Sequence, residues 1–101
     1  MNGTIKLEYY SWLAKELIGA GEDGRTVELP LPAAGTVRAL LAGLAADSEA
    51  FERLVYDSAD GRLREYATLI LNGRVIELAG GLDTHLQPGD HLLLLPGFSG
   101  G

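Results

Sequence analysis

The chain has 101 residues, 47% of them apolar, and carries 8 basic against 14 acidic side chains, for a formal net charge of -6. This size sets one domain with a single core, and the apolar content excludes a disordered chain. The scarcity of cations excludes phosphate-backbone binding as a main role, and the lack of any cysteine excludes disulfides, thiolate metal sites and a cysteine nucleophile. Met1-Asn2-Gly3-Thr4 has no signal pattern, and no apolar stretch nears the ~20 residues of a membrane span. The expectation is a cytoplasmic protein with neither nucleic acid nor membrane as partner.

The elements follow in chain order. Thr4 to Tyr10 alternates, with Ile5, Leu7 and Tyr9 on one face, which predicts a half-buried strand. Ser11 to Ile18 carries Trp12, Leu13 and Leu17 and predicts a short helical turn, and the glycines at 19, 21 and 24 predict a loop. Arg25 to Leu31 alternates again and predicts a second strand paired with the first as a hairpin. Thr36 is a candidate N-cap for a main helix whose Val37, Leu40, Leu41 and Leu44 share one face. Asp47-Ser48 restarts a helical segment with Phe51, Leu54 and Val55 on its apolar side, and Asp57 to Gly61 is a predicted loop.

Tyr66 to Leu71 is strand-like and ends in Asn72-Gly73, a tight-turn signal, with Val75 and Ile76 returning. Asp83 is placed as the cap of a brief turn reaching Leu86, and Pro88-Gly89-Asp90 as a turn. The run Leu92 to Leu95 predicts a central strand buried on both faces. Pro96 and Gly97 end it, and 97–101 is expected to be a flexible tail. Together these elements predict an α+β domain, a sheet wrapped around one main helix, covering 1–101 without repeat or linker.

No catalytic constellation stands out in the body of the chain. His85 and His91 lack metal-ligand spacing, and Gly80-Gly81 lacks the lysine and the following helix of a phosphate loop. The tail is different: Gly97, Gly100 and Gly101 fall within the last five residues. A terminal glycine has no Cβ, so it can thread a narrow channel and offer an unhindered carboxylate. A frayed end gives the same pattern.

Pro88-Gly89-Asp90-His91-Leu92-Leu93-Leu94, followed by Leu95-Pro96-Gly97-Phe98-Ser99-Gly100-Gly101, resembles the end of the MoaD/ThiS sulfur carriers. Gly35-Thr36-Val37 resembles that family's helix start, and Ala67 to Gly73 its strand and turn. Asp60 to Tyr66 and Gly80 to Thr84 resemble the branch holding the archaeal small modifiers and the CysO carriers. Ser99-Gly100-Gly101 resembles the molybdopterin branch. Gly97 stands where many members have proline or alanine, and Phe98 where valine is common.

The resemblance implies the β-grasp, or ubiquitin-like, fold and a carrier rather than an enzyme. It implies that the Gly101 carboxylate is adenylated by a ubiquitin-activating-type adenylyltransferase and becomes a thiocarboxylate. Gly100 and Ser99 would form the tail that enters that partner. A sulfurtransferase would supply sulfur, and a larger synthase subunit is a further implied partner. ATP and magnesium would belong to the activating enzyme, with no cofactor or metal bound to this chain. The first implied role is the small subunit of molybdopterin synthase, in molybdenum cofactor biosynthesis. The alternatives are a carrier for cysteine, thiamine or tRNA thiolation, a modifier joined to lysines, and a binding domain without tail chemistry. Phe98, Pro96 and Leu94 are the expected partner-binding side chains, with Phe98 folding back on its own sheet as the other reading.

Overall fold

The computed structural model describes residues 3–10, 12–19 and 25–97. Strands β1 (Thr4–Tyr9) and β2 (Arg25–Pro30) flank helix α1 (Trp12–Ile18), and helices α2 (Val37–Asp47) and α3 (Glu49–Leu54) follow. A two-residue hairpin, β3 (Tyr56–Asp57) and β4 (Arg62–Leu63), precedes β5 (Ala67–Leu71), β6 (Arg74–Val75), a 3₁₀ turn (Ile76–Leu78) and β7 (His91–Pro96). The main sheet runs β2-β1-β7-β5-β6. Its central pair, β1 and β7, is parallel, and every other neighbour is antiparallel.

One face of this sheet is covered and the other is open. Ile5, Leu7 and Tyr9 of β1, Leu92 and Leu94 of β7, and Leu69 and Leu71 of β5 are buried. They share one core with Val37, Leu40, Leu41 and Ala45 of α2, Phe51 of α3, and Leu13 and Ala14 of α1. Each large side chain in that set contributes about 1.5–3 kcal/mol through its burial. The expected sheet around a main helix is therefore present, with α1, α3 and the β3–β4 hairpin added to it.

The ends of α2 show why it starts and stops where it does. The first N–H groups of a helix lack internal partners. Here Val37 donates to the Thr84 carbonyl at 3.0 Å and Arg38 to that of Leu82 at 2.7 Å. Ala39 donates to the Thr36 hydroxyl at 3.1 Å, which confirms Thr36 as N-cap. At the other end Ser48 caps α3 through a bond from the Phe51 amide.

Two sequence expectations need correction. Asp83 caps no turn: its carboxylate lies 2.9 Å from Nε of Arg38. Arg38 also donates through Nη1 to the Gly61 carbonyl. One guanidinium thus ties α2 to the 57–61 and 81–85 loops, and this bond and charge hold the Asp83 carboxyl below the usual carboxylate range. The second correction concerns β7. It is buried on one face only, because Leu93 and Leu95 remain half-exposed. The helices lie on a single side of the sheet.

Asn72-Gly73 does form the tight turn, with φ of 50° and 88° at the two positions, as a two-residue hairpin loop with a matching twist requires. The Asn72 side chain then does more than turn. Its Oδ1 accepts from the His91 amide at 2.9 Å, and its Nδ2 donates to Asp90 at 3.0 Å. Asp90 in turn accepts from the Gln87 amide, so the loop before β7 is locked to the hairpin.

A depressed carboxylate stabilises the fold above its ordinary pKa and loses that effect as pH falls through the lower folded value. Substituting Arg38→Met should therefore raise the Asp83 titration point towards the ordinary range and speed amide exchange at Val37 and Arg38. Carboxyl-detected NMR titration checks the first and hydrogen exchange the second. An unmoved Asp83 midpoint contradicts the assignment.

Candidate functional site: the end of the central strand

Strand β7 is held as far as Leu94 on the β1 side and up to its last residue, Pro96, on the β5 side. Tyr10 donates to the Leu94 carbonyl at 3.1 Å on the β1 side. Pro96 pairs with Ala67 on the β5 side, and Gly97 donates to the Tyr66 carbonyl at 2.6 Å. A Cβ at Gly97 would lie 2.2 Å from the Glu65 carbonyl oxygen and 3.1 Å from the Ala67 nitrogen. These are backbone atoms and cannot swing aside, so the close approach requires glycine. Gly97, expected to open a free tail, is thus itself clamped to the sheet. Phe98, Ser99, Gly100 and Gly101, the residues expected to carry the chemistry, lie outside the described residues.

Of the expected docking side chains, Pro96 is half-exposed, whereas Leu94 has 0% exposure and sits in the core. Leu94 is not a docking residue. The cause is parity: side chains alternate across a strand, and Leu92 and Leu94 take the helix side. Leu93 and Leu95 point to the open face instead. Leu93 is registered between Glu8 of β1 and Ile70 of β5, and Leu95 lies beside Thr68. An apolar strip of Ile70, Leu93 and Leu95 therefore lies on the open face. The run Leu92–Leu95 concealed it, because four consecutive leucines carry no alternation.

Exposed aromatics frame the same end. Tyr10 is 44% exposed, Trp12 38% and Tyr66 56%. Tyr10 and Trp12 follow β1 on one side of β7, and Tyr66 precedes β5 on the other. The sequence reading missed Tyr10 and Tyr66 as surface residues. The signal available was that Tyr10 continues the Lys6 and Glu8 face, the solvent face of that strand. Tyr66 also borders an open groove of about 480 Å³ with Asp57, Asp60, Arg62, Leu63, Arg64 and Glu65. Arg64 is fixed there by the Glu52 carbonyl at 2.6 Å and by Asp57 at 3.7 Å. Bonds from the Asp60 and Ala59 amides, with Arg64 nearby, hold the Asp57 carboxyl below its ordinary range.

Neither histidine sits in a metal site. His91 lies 3.0 Å from Glu8 on the open face, and His85 forms a bridge with Thr36. Among the described residues no cluster of three or more His, Asp or Glu could hold a metal, and no helix is long and apolar enough to cross a membrane.

The ThiS family model matches residues 14–101. The sulfur carrier protein CysO of Mycobacterium tuberculosis is 33% identical over 67 residues, which cover 65% of this chain and 72% of that protein. SAMP1 of Haloferax volcanii aligns in structure at a TM-score of 0.65 with 27% identity, over 98% of this chain and 100% of that one. A chain of the BexX/CysO complex of Amycolatopsis orientalis aligns at 0.66 with 21% identity, over 96% and 99%. The chain belongs to the ThiS family, whose members are small β-grasp carriers rather than catalysts.

Gly97→Ala should cost about 2 kcal/mol of stability, because backbone must shift to admit the methyl. Thermal unfolding measures the loss, and exchange of the Ala67 amide locates it. An unchanged Tm would show that the strand end tolerates a side chain.

Proposed function

We propose that this protein carries sulfur on the carboxyl end of Gly101 and delivers it as a thiocarboxylate. A carboxylate is a poor electrophile, so the reaction needs activation. A partner adenylyltransferase joins the Gly101 carboxylate to AMP with release of pyrophosphate, using its own ATP and magnesium. The terminal sulfur of a persulfide then displaces AMP and gives an acyl disulfide. A thiol reduces that bond, leaving the thiocarboxylate and a new disulfide. With no cysteine in the chain, sulfur arrives from outside and rests on the C-terminus.

The observation that carries this reading is the clamped strand end. Gly97 is fixed against the backbone of residues 65–67, four residues before Gly101. The apolar strip of Leu93, Leu95 and Ile70 gives a partner a seat beside that point. Apolar area on an open sheet face is what an interface core uses, and Phe98 would extend it. The likeness to CysO at 33% identity favours delivery of sulfur to cysteine synthesis. The ending Ser99-Gly100-Gly101 supports the molybdopterin route. The likeness to SAMP1 favours a second reading, conjugation of Gly101 to a lysine of a target protein, through the same adenylate.

Two experiments decide between these readings. Protein purified from its host without thiols should show a C-terminal peptide about 16 Da heavier than the carboxylate form, one oxygen being replaced by sulfur. If that peptide stays unmodified with ATP, a sulfur donor and the activating enzyme, the carrier reading fails. A branched peptide bearing Gly101 on a lysine instead establishes the modifier. Separately, Leu93→Asp and Phe98→Ala should each weaken binding to the activating enzyme at least about tenfold, with the fold intact by circular dichroism. Leu94→Ala should instead destabilise the fold by about 2–5 kcal/mol.

A further inference from the structure

The turn between β5 and β6 carries a reactive pair of residues. The two strands pair at Leu71 and Arg74, so Asn72 and Gly73 are the whole loop, and both are exposed to water. Glycine has no side chain to crowd its own nitrogen, and a Cβ at Gly73 would meet nothing within 4 Å. The Gly73 nitrogen can therefore attack Cγ of Asn72. The Cγ–Nδ2 bond breaks, ammonia leaves with the proton of the Gly73 amide, and a five-membered imide remains. Water then opens the imide. Addition at Cγ gives aspartate, and addition at the main-chain carbonyl gives isoaspartate.

The fold opposes the first step. Ring closure needs Cγ to turn onto the Gly73 nitrogen, but the Asn72 side chain is clasped at both polar atoms. Its Oδ1 accepts from the His91 amide at 2.9 Å, and its Nδ2 donates to Oδ1 of Asp90 at 3.0 Å. The acceptor is itself fixed, because Oδ2 of Asp90 accepts from the Gln87 amide at 2.8 Å. Attack on Cγ thus waits for a local opening that breaks the clasp. The same geometry makes both products costly. Aspartate keeps an oxygen for the His91 N–H but has no proton to give, and it sets a second carboxylate against that of Asp90. Isoaspartate adds one backbone carbon to a loop of two residues, whose length sets the hairpin register.

We propose that Asn72 is a deamidation site kept slow by its clasp to Asp90 and His91, and that its conversion releases the start of β7 from the β5–β6 hairpin. The reaction consumes only water, so the modified form accumulates with the age of the folded chain. Its effect reaches β1 as well, because the Asp90 carbonyl accepts from the Lys6 amide at 2.9 Å. The site is separate from the end of β7, so it stands whether or not Gly101 carries sulfur.

The test incubates the full chain at mildly alkaline pH beside a capped peptide of residues 70–75, Ile-Leu-Asn-Gly-Arg-Val. Peptide mapping follows the product at 72, which is about 1 Da heavier because ammonia leaves and water enters. The folded chain should convert at least about tenfold more slowly than the peptide, and Asp90→Ala should remove most of that difference. Equal rates in chain and peptide overturn the proposal, as does an Asn72 that stays intact in a folded Asp90→Ala chain. The consequence is read by hydrogen exchange on variants that cannot deamidate. Asn72→Asp should keep the fold and speed exchange of the Lys6 and His91 amides at least about tenfold. Adding Asp90→Asn to it restores one donor and one carboxylate to the clasp and should return both amides close to their original rates. Unchanged exchange in Asn72→Asp, or no recovery in the double variant, also overturns the proposal.

Discussion

The alternation of β7 between two strands is the constraint on which the molecule depends. β1 and β5 hydrogen-bond to it along both sides, so its side chains have only two directions to take. Leu92 and Leu94 go to the helices and complete the core. Leu93 and Leu95 go to the open face and supply an apolar surface. The same ladder continues to Gly97, where the backbone of residues 65–67 comes too close for any side chain. A slip of one residue would exchange core and surface and move the clamp off the only residue that fits it.

That register is fixed from outside the strand as well. Asn72 and Asp90 lock the start of β7 to the β5–β6 hairpin, while the loop preceding it gives its carbonyls to the first turn of α2. Arg38 then joins the same loop to the 57–61 segment through Asp83 and Gly61. The loops are thus braced against the helix rather than merely connecting strands. The open face of β7 is thus presented on a strand whose preceding loop is braced against helix α2 and the 57–61 segment.

Much of this was legible in the chain. The alternation of Thr4–Tyr9 and Arg25–Leu31, the Thr36 cap, the Leu-rich helix face and the Asn72-Gly73 turn depend on near neighbours, and each formed as expected. The candidate site was legible in part, because its residues lie at one end of the chain. Leu94 was misassigned, since a run of four leucines has no period from which to read direction. The β3–β4 hairpin was also hidden, because its strands are two residues long and held by Arg64 reaching back to Glu52.

The sequence by itself determined the domain class, the order of the helices and of the main-sheet strands, the lack of any cysteine and the glycine-rich end. These follow from local periodicity, composition and the family motifs. Only the tertiary structure decided which leucines of β7 face outward, that Asp83 pairs with Arg38, and that Gly97 is clamped. Each of those depends on two segments distant in sequence meeting at a particular register. Residue spacing along the chain holds no information about that distance.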